Sequence, residues 1–171
     1  MVVTLIGLIA AFAVPKLDFT RYRLNGAVRG VVSLLNRAQR QAVTDQSNVN
    51  VIFDVANASV TLHEDMDNDN VIDAGERTRS YPIGEGAVYG LGASVSPRLY
   101  SPSPVTFTRR LGGNPEVIFR RDGSASQAGA IYISSTRAGN SAADTRSIEV
   151  IAATGRVEWY RFDGNAWTRK F

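Results

Sequence analysis

Cysteine is absent from these 171 residues, and histidine occurs once, at His63. Without thiols there is no disulfide, no thiolate metal site and no cysteine nucleophile, so the fold rests on burial and hydrogen bonding alone. A single imidazole leaves little for histidine chemistry, and His63, beside Glu64 at the end of a strand pattern, reads as an ordinary surface or edge residue. Lysine is scarce too, since seventeen of the nineteen basic residues are Arg. Gly-x4-Gly-Lys, Gly-x-Ser-x-Gly and His-Glu-x-x-His are all missing, so no catalytic residue is expected and the chain reads as a non-enzyme. What is present, 44% hydrophobic and 20% charged residues with a net charge of +3, suits one globular core plus an appendage.

The two ends of the chain differ. Met1 to Val14, MVVTLIGLIAAFAV, carries no charge, and only Thr4 and Gly7 fall outside the hydrophobic set. A helix of this length spans about 21 Å at about 1.5 Å per residue, against roughly 30 Å of bilayer hydrocarbon. No basic residue precedes the run and Pro15 with Lys16 follow it, which reads as part of a membrane helix rather than a secretory signal. Over residues 16–47, Leu24, Val28, Val31, Leu35, Ala38 and Ala42 recur at spacings of four and three, the apolar stripe of an amphipathic helix, with Arg21, Arg23, Arg29, Arg37 and Arg40 elsewhere.

After Asn48 the period becomes two. Val49, Val51, Phe53 and Val55 alternate with Asn50, Ile52 and Asp54, and Val60 and Leu62 follow the turn Ala56-Asn57-Ala58. Further strands are expected at Arg77–Ile83, Val105–Arg109, Val117–Arg121, Ala130–Ser134, Ile148–Ala152 and Arg156–Phe162, divided by Gly- and Asn-rich turns. Phe53, Phe107, Phe119, Tyr132, Trp159 and Phe162 fall on strand periods as core or half-buried sheet residues. The expected architecture is α+β: an apolar segment 1–15, an amphipathic helix 16–47 and a β-rich head 48–171.

One motif has ligand spacing. In the twelve residues from Asp65 to Glu76, carboxylates occur at positions 1, 3, 5, 9 and 12 (Asp65, Asp67, Asp69, Asp73 and Glu76), and Val71 supplies the position-7 carbonyl. That is how a twelve-residue calcium loop gathers oxygen ligands, with Asn70 where such loops carry a glycine. Calcium is the one cofactor the sequence brings forward, and a solvated acidic hairpin tip is the alternative. Basic residues Arg109-Arg110, Arg120-Arg121, Arg137, Arg146, Arg156, Arg161 and Arg169-Lys170 would suit nucleic acid if they shared one face.

The segment MVVTLIGLIAAFAVP resembles the apolar part of the class III signal of type IV pilins and pseudopilins. It is followed by the helix Leu34-Leu35-Asn36-Arg37-Ala38-Gln39-Arg40-Gln41-Ala42, the strand Val49-Asn50-Val51-Ile52-Phe53-Asp54, the acidic hairpin Asp73-Ala74-Gly75-Glu76, then Phe119-Arg120-Arg121-Asp122-Gly123 and Thr154-Gly155-Arg156-Val157. In that order the chain resembles the GspH/FimT group of minor pilins and pseudopilins, used in type II secretion and type IV pili.

The resemblance implies a pilin-like fold, a long N-terminal helix with an apolar first half packed on an antiparallel β-sheet or β-sandwich head. It implies a structural filament subunit that waits in the bacterial inner membrane as a single-pass protein. The subunit then joins copies of itself and other pilins in a periplasmic pseudopilus or extracellular pilus. The residues expected to carry assembly are Val2, Val3, Leu5, Ile6, Leu8, Ile9, Phe12 and Val14, with Pro15 as the adjustable point. The family's cleavage glycine, methylated first residue and glutamate precede the Met-Val-Val position and have no counterpart in this sequence, so Met1 reads as an internal position. About six more residues would bring the apolar run to roughly 20. Two other functions stand beside this one: a calcium-stabilised, adhesin-like head, which rests on the Asp65–Glu76 spacing, and DNA uptake, which the resemblance ties to a Gly-Arg-x-Arg segment. Here Gly155-Arg156-Val157-Glu158 keeps only the first Arg of that segment, so DNA would rest on Arg156 and stands outside the expected partners.

Overall fold

The computed structural model describes residues 19–92, 95–136 and 142–170. Helix α1, Phe19–Asp45, runs 27 residues and stops where Gln46 adopts a left-handed φ of +54°. All six residues of its apolar stripe are buried, joined by Ala27, and they pack against strands of both sheets.

Ten strands follow among the described residues: β1 Asn48–Asp54, β2 Ser59–Asp65, β3 Arg77–Pro82, β4 Ala87–Tyr89, β5 Arg110–Leu111, β6 Asn114–Phe119, β7 Gly129–Ser135, β8 Thr145–Val150, β9 Val157–Phe162 and β10 Trp167–Lys170. They make two five-stranded antiparallel sheets, ordered β3-β2-β1-β6-β5 and β10-β9-β8-β7-β4. One apolar core joins the helix stripe to Val49, Val51 and Phe53 of the first sheet and Ile131, Ile133 and Ile148 of the second. The expected α+β arrangement of a helix packed on an antiparallel head is what the described residues adopt.

The β1–β2 hairpin closes through its own turn. The Asp54 carboxylate accepts from the Asn57 backbone N–H at 3.0 Å and its side-chain amide at 2.7 Å, while Ala58 takes a φ of +47°. Two strand expectations are corrected. Val105–Arg109 is no strand: Val105 makes a single bridge to Ile131, and pairing resumes only at Arg110–Leu111. Thr106 N–H still donates to the Ala130 carbonyl at 2.9 Å, but Thr108 N–H turns to the Gln127 side-chain oxygen at 3.0 Å instead of a strand carbonyl, and the ladder ends there. Strands β4 and β10, of three and four residues, were not anticipated, being too short for alternation to be visible.

The expected aromatics Phe53, Phe107, Phe119, Tyr132, Trp159 and Phe162 are all buried, with Phe53 and Phe107 stacked at 5.6 Å between centroids. Among the described residues no helix is long and apolar enough to cross a membrane. The segment 1–15 on which that expectation falls, with Val2, Val3, Leu5, Ile6, Leu8, Ile9, Phe12, Val14 and Pro15, lies outside the described residues.

Candidate functional site

The loop from Asp65 to Glu76 joins β2 to β3, so the first sheet holds both of its ends. Asp65, the last residue of β2, is fully buried. Its carboxylate accepts from the backbone N–H groups of Asp69 and Asn70 at 3.1 Å each, which pulls the loop into a tight coil. Asp67 accepts from Asp69 N–H at 3.2 Å, and Asp69 from Val71 N–H at 2.7 Å. Asn68 and Asn70 sit at φ +65° and +64°, so the sharp turn at position 6 is made by an asparagine in the left-handed region. Carboxylate oxygens of Asp65, Asp67 and Glu76 lie within 4.8 Å of one another, as do those of Asp67, Asp69 and Asp73.

His63 departs from the sequence reading. Far from being a surface or edge residue it is fully buried, with Nε2 2.5 Å from the Glu76 carboxylate and Nδ1 3.3 Å from the Asn50 amide. The Asn50 N–H donates to Nδ1, so Nε2 carries the hydrogen given to Glu76. The physical reason is register. Asn50 and His63 are direct partners across β1 and β2, on the sheet face turned away from the helix, and the acidic loop folds back over that face. Asn70 completes the cover: its side-chain oxygen accepts from Asn50 at 3.0 Å and its amide donates to Glu116 of β6 at 3.3 Å. Arg109 Nε also donates to that Glu116 oxygen, at 3.2 Å. A sequence signal for this cover existed, since Ile52 and Ile118 are apolar on the same outward face.

The two ends of the loop titrate in opposite directions. The Glu76 carboxyl is held below its ordinary value, first by the His63 hydrogen bond and then by the backbone N–H groups of Asp73 and Met66. Asp65 is pushed up, because burial outweighs the N–H groups of Asn70 and Asn68. A cation among these oxygens would supply the charge compensation that burial denies Asp65.

The basic residues do not form one face. Arg146 is fully buried, donating to Asn25 at 2.9 Å and to the carbonyls of Ala143 and Thr145. Burial first, then Arg161 across the β8–β9 pair, lowers it to about 10. Arg109 is paired with Glu116, and both Arg156 and Arg169 are paired with Glu158. Glu158, the residue at the second Arg position of the DNA-uptake pattern, thus neutralises the first. Arg137 lies outside the described residues.

Gly155 has a packing role that sequence reasoning missed. Its φ is +62°, and a Cβ there would collide with the Gly123 carbonyl and the Gln39 amide. Gln39 of α1 donates to the carbonyls of Gly123 and Thr154 at 2.8 Å each, so one helix residue holds a turn from each sheet.

No family model matches the sequence, and no curated protein matches it. Among solved structures, the minor pseudopilin EpsH from the type 2 secretion system of Vibrio cholerae matches with a TM-score of 0.52 at 10% identity, over 84% of this chain and 99% of that one. The fold is that of a minor pseudopilin. A second structure, the crystal structure of the same EpsH protein from Vibrio cholerae, matches at a TM-score of 0.47 and 14% identity, over 80% of this chain and 93% of that one. Within this pseudopilin fold the acidic loop is the β2–β3 connection, and its exposed tip carries Asp67, Asp69 and Asp73.

Proposed function

We propose that the chain is a structural subunit of a type IV pilus-like filament, in the first instance a type II secretion pseudopilus, and that it assembles through its N-terminal helix. The fold shared with EpsH across nearly the whole of that chain carries this reading. The uncharged run Met1 to Val14, which precedes in sequence the helix whose apolar stripe anchors the head, adds to it. Such a run is as content in a bilayer as in a filament core, so assembly is driven by packing and charge pairing rather than by a large hydrophobic gain. Val2, Val3, Leu5, Ile6, Leu8, Ile9, Phe12 and Val14 would make those contacts, in the inner membrane first and then among copies and other pseudopilins. The test is fractionation followed by immunogold microscopy. The native protein should need detergent for extraction from membranes and should label periplasmic or surface filaments; recovery in the soluble fraction after lysis overturns the reading.

A second function belongs to the β2–β3 loop, where converged carboxylates and the left-handed Asn70 favour calcium. Asp65, Asp67, Asp69, Asp73, Glu76 and the Val71 carbonyl would hold the ion, with His63 orienting Glu76 from behind. The ion would screen the mutual repulsion of five carboxylates and so stabilise the head. Millimolar calcium should raise the melting temperature by several degrees, by mass action on the folded state. An unchanged melting curve removes calcium and leaves the filament reading untouched.

A further inference from the structure

Helix α1 carries five Arg and one Asp, and its apolar stripe is used up against its own sheets. On its outer side Arg29, Ser33, Asn36 and Arg40 follow at spacings of four, three and four, one line along the helix. Together with Val32 and Trp159 of β9 they line an open groove of about 360 Å3 between the helix and the second sheet. Among the described residues neither Arg29 nor Arg40 is paired with a carboxylate. Two unpaired guanidiniums above an apolar floor receive carboxylates flanked by apolar side chains.

A segment of that composition lies elsewhere in the same chain. Glu64 to Glu76 contains six acids and no basic residue. Its tip also exposes Met66, Val71 and Ile72, at 66%, 51% and 50% of their surface, although a folded head would ordinarily cover such side chains. The tip and the groove are therefore complementary in charge and in polarity together. Because they are different patches of the molecule, one copy's tip can enter the groove of the next, a heterologous contact that repeats from copy to copy into an open helix where the rotation does not close a ring. We propose that the groove between α1 and β9 receives the β2–β3 loop tip of a second copy of this chain. The proposal rests on the filament reading and names one contact of it.

The absence of cysteine makes the test clean, since introduced thiols are the only ones present. The full chain in detergent is prepared as Ser33→Cys and, separately, as Val71→Cys, and treated with a short bismaleimide alone and after mixing. A cross-linked dimer is expected only in the mixture. Adding Arg29→Glu and Arg40→Glu to the Ser33→Cys copy should lower its yield about tenfold, the steering and pairing both being lost. No dimer in the mixture, or equal dimer from Ser33→Cys alone, overturns the contact. If the protein still labels filaments while the mixture gives no dimer, the contact fails and the subunit reading stands. If the dimer forms but the protein is absent from filaments, the outcome is reversed.

Discussion

Gln39 and Gly155 show how much a single position can hold. Gln39 supplies both protons of one amide to two carbonyls from different sheets, and Gly155 is the residue that lets the Thr154 turn come close enough to be reached. Gln39→Ala removes both hydrogen bonds and should cost about 1–3 kcal/mol. Gly155→Ala meets both an unfavourable left-handed φ and a collision, and should lose at least about 2 kcal/mol. Urea denaturation of the two variants reads these values directly; a Gly155→Ala protein as stable as its parent would refute the packing account. The Gly155-Arg156 pair was visible in the sequence as a signature, but its reason was not. That reason is a contact between residues 39, 123 and 155, which no local pattern encodes. His63 was misread as a surface or edge residue for a related cause: only the fold-back of a loop twelve residues long decides that the outward face it shares with Asn50 is covered.

At the scale of elements, periodic segments were legible and short ones were not. The helix stripe and the β1–β2 hairpin follow from spacing alone, since burial on one face is what the spacing records. Strands β4, β5 and β10 are fixed by partners, not by their own sequence. The stripe predicts where the helix bears load: Leu35→Ala, at a fully buried position, should cost about 2–5 kcal/mol and leave the circular dichroism of the folded state unchanged. The turns predict an acid response. Asp54, Asp122 and Asp163 are each held below their ordinary value of 3.8, by hydrogen bonds from Asn57, Ser124 and, for Asp163, the backbone N–H groups of Ala166 and Asn165. Groups lowered in the folded state add stability that is complete above that value and fades as pH falls through their folded values. Melting temperature should therefore drop below about pH 4, and Asp163→Asn should flatten that drop while lowering the plateau.

On the scale of the molecule, charge is sorted along the chain. The helix region 16–47 holds six basic residues against two acidic, and residues 48–171 hold thirteen against fourteen, so the whole positive excess belongs to the helix. Residue counts alone made that division plain, and the sequence of elements made the pilin-like order plain. The enclosure of Asn50, His63 and Glu116 beneath the acidic loop required the three-dimensional register. Binding of the intact head to duplex DNA should be absent at physiological salt, because the guanidinium of Arg156 is already spent on Glu158; a salt-dependent gel shift abolished by Arg156→Ala would contradict this.

The amide of Gln39 has a mechanical consequence. A load applied to α1 has to be carried into the head. Besides the buried stripe that packs on both sheets, one side chain ties the turns at Gly123 and Thr154 to the helix, so tension on α1 reaches these two turns at the same point. The head should yield to an optical trap in a single rupture, and Gln39→Ala should divide that event into two smaller ones, one sheet letting go before the other.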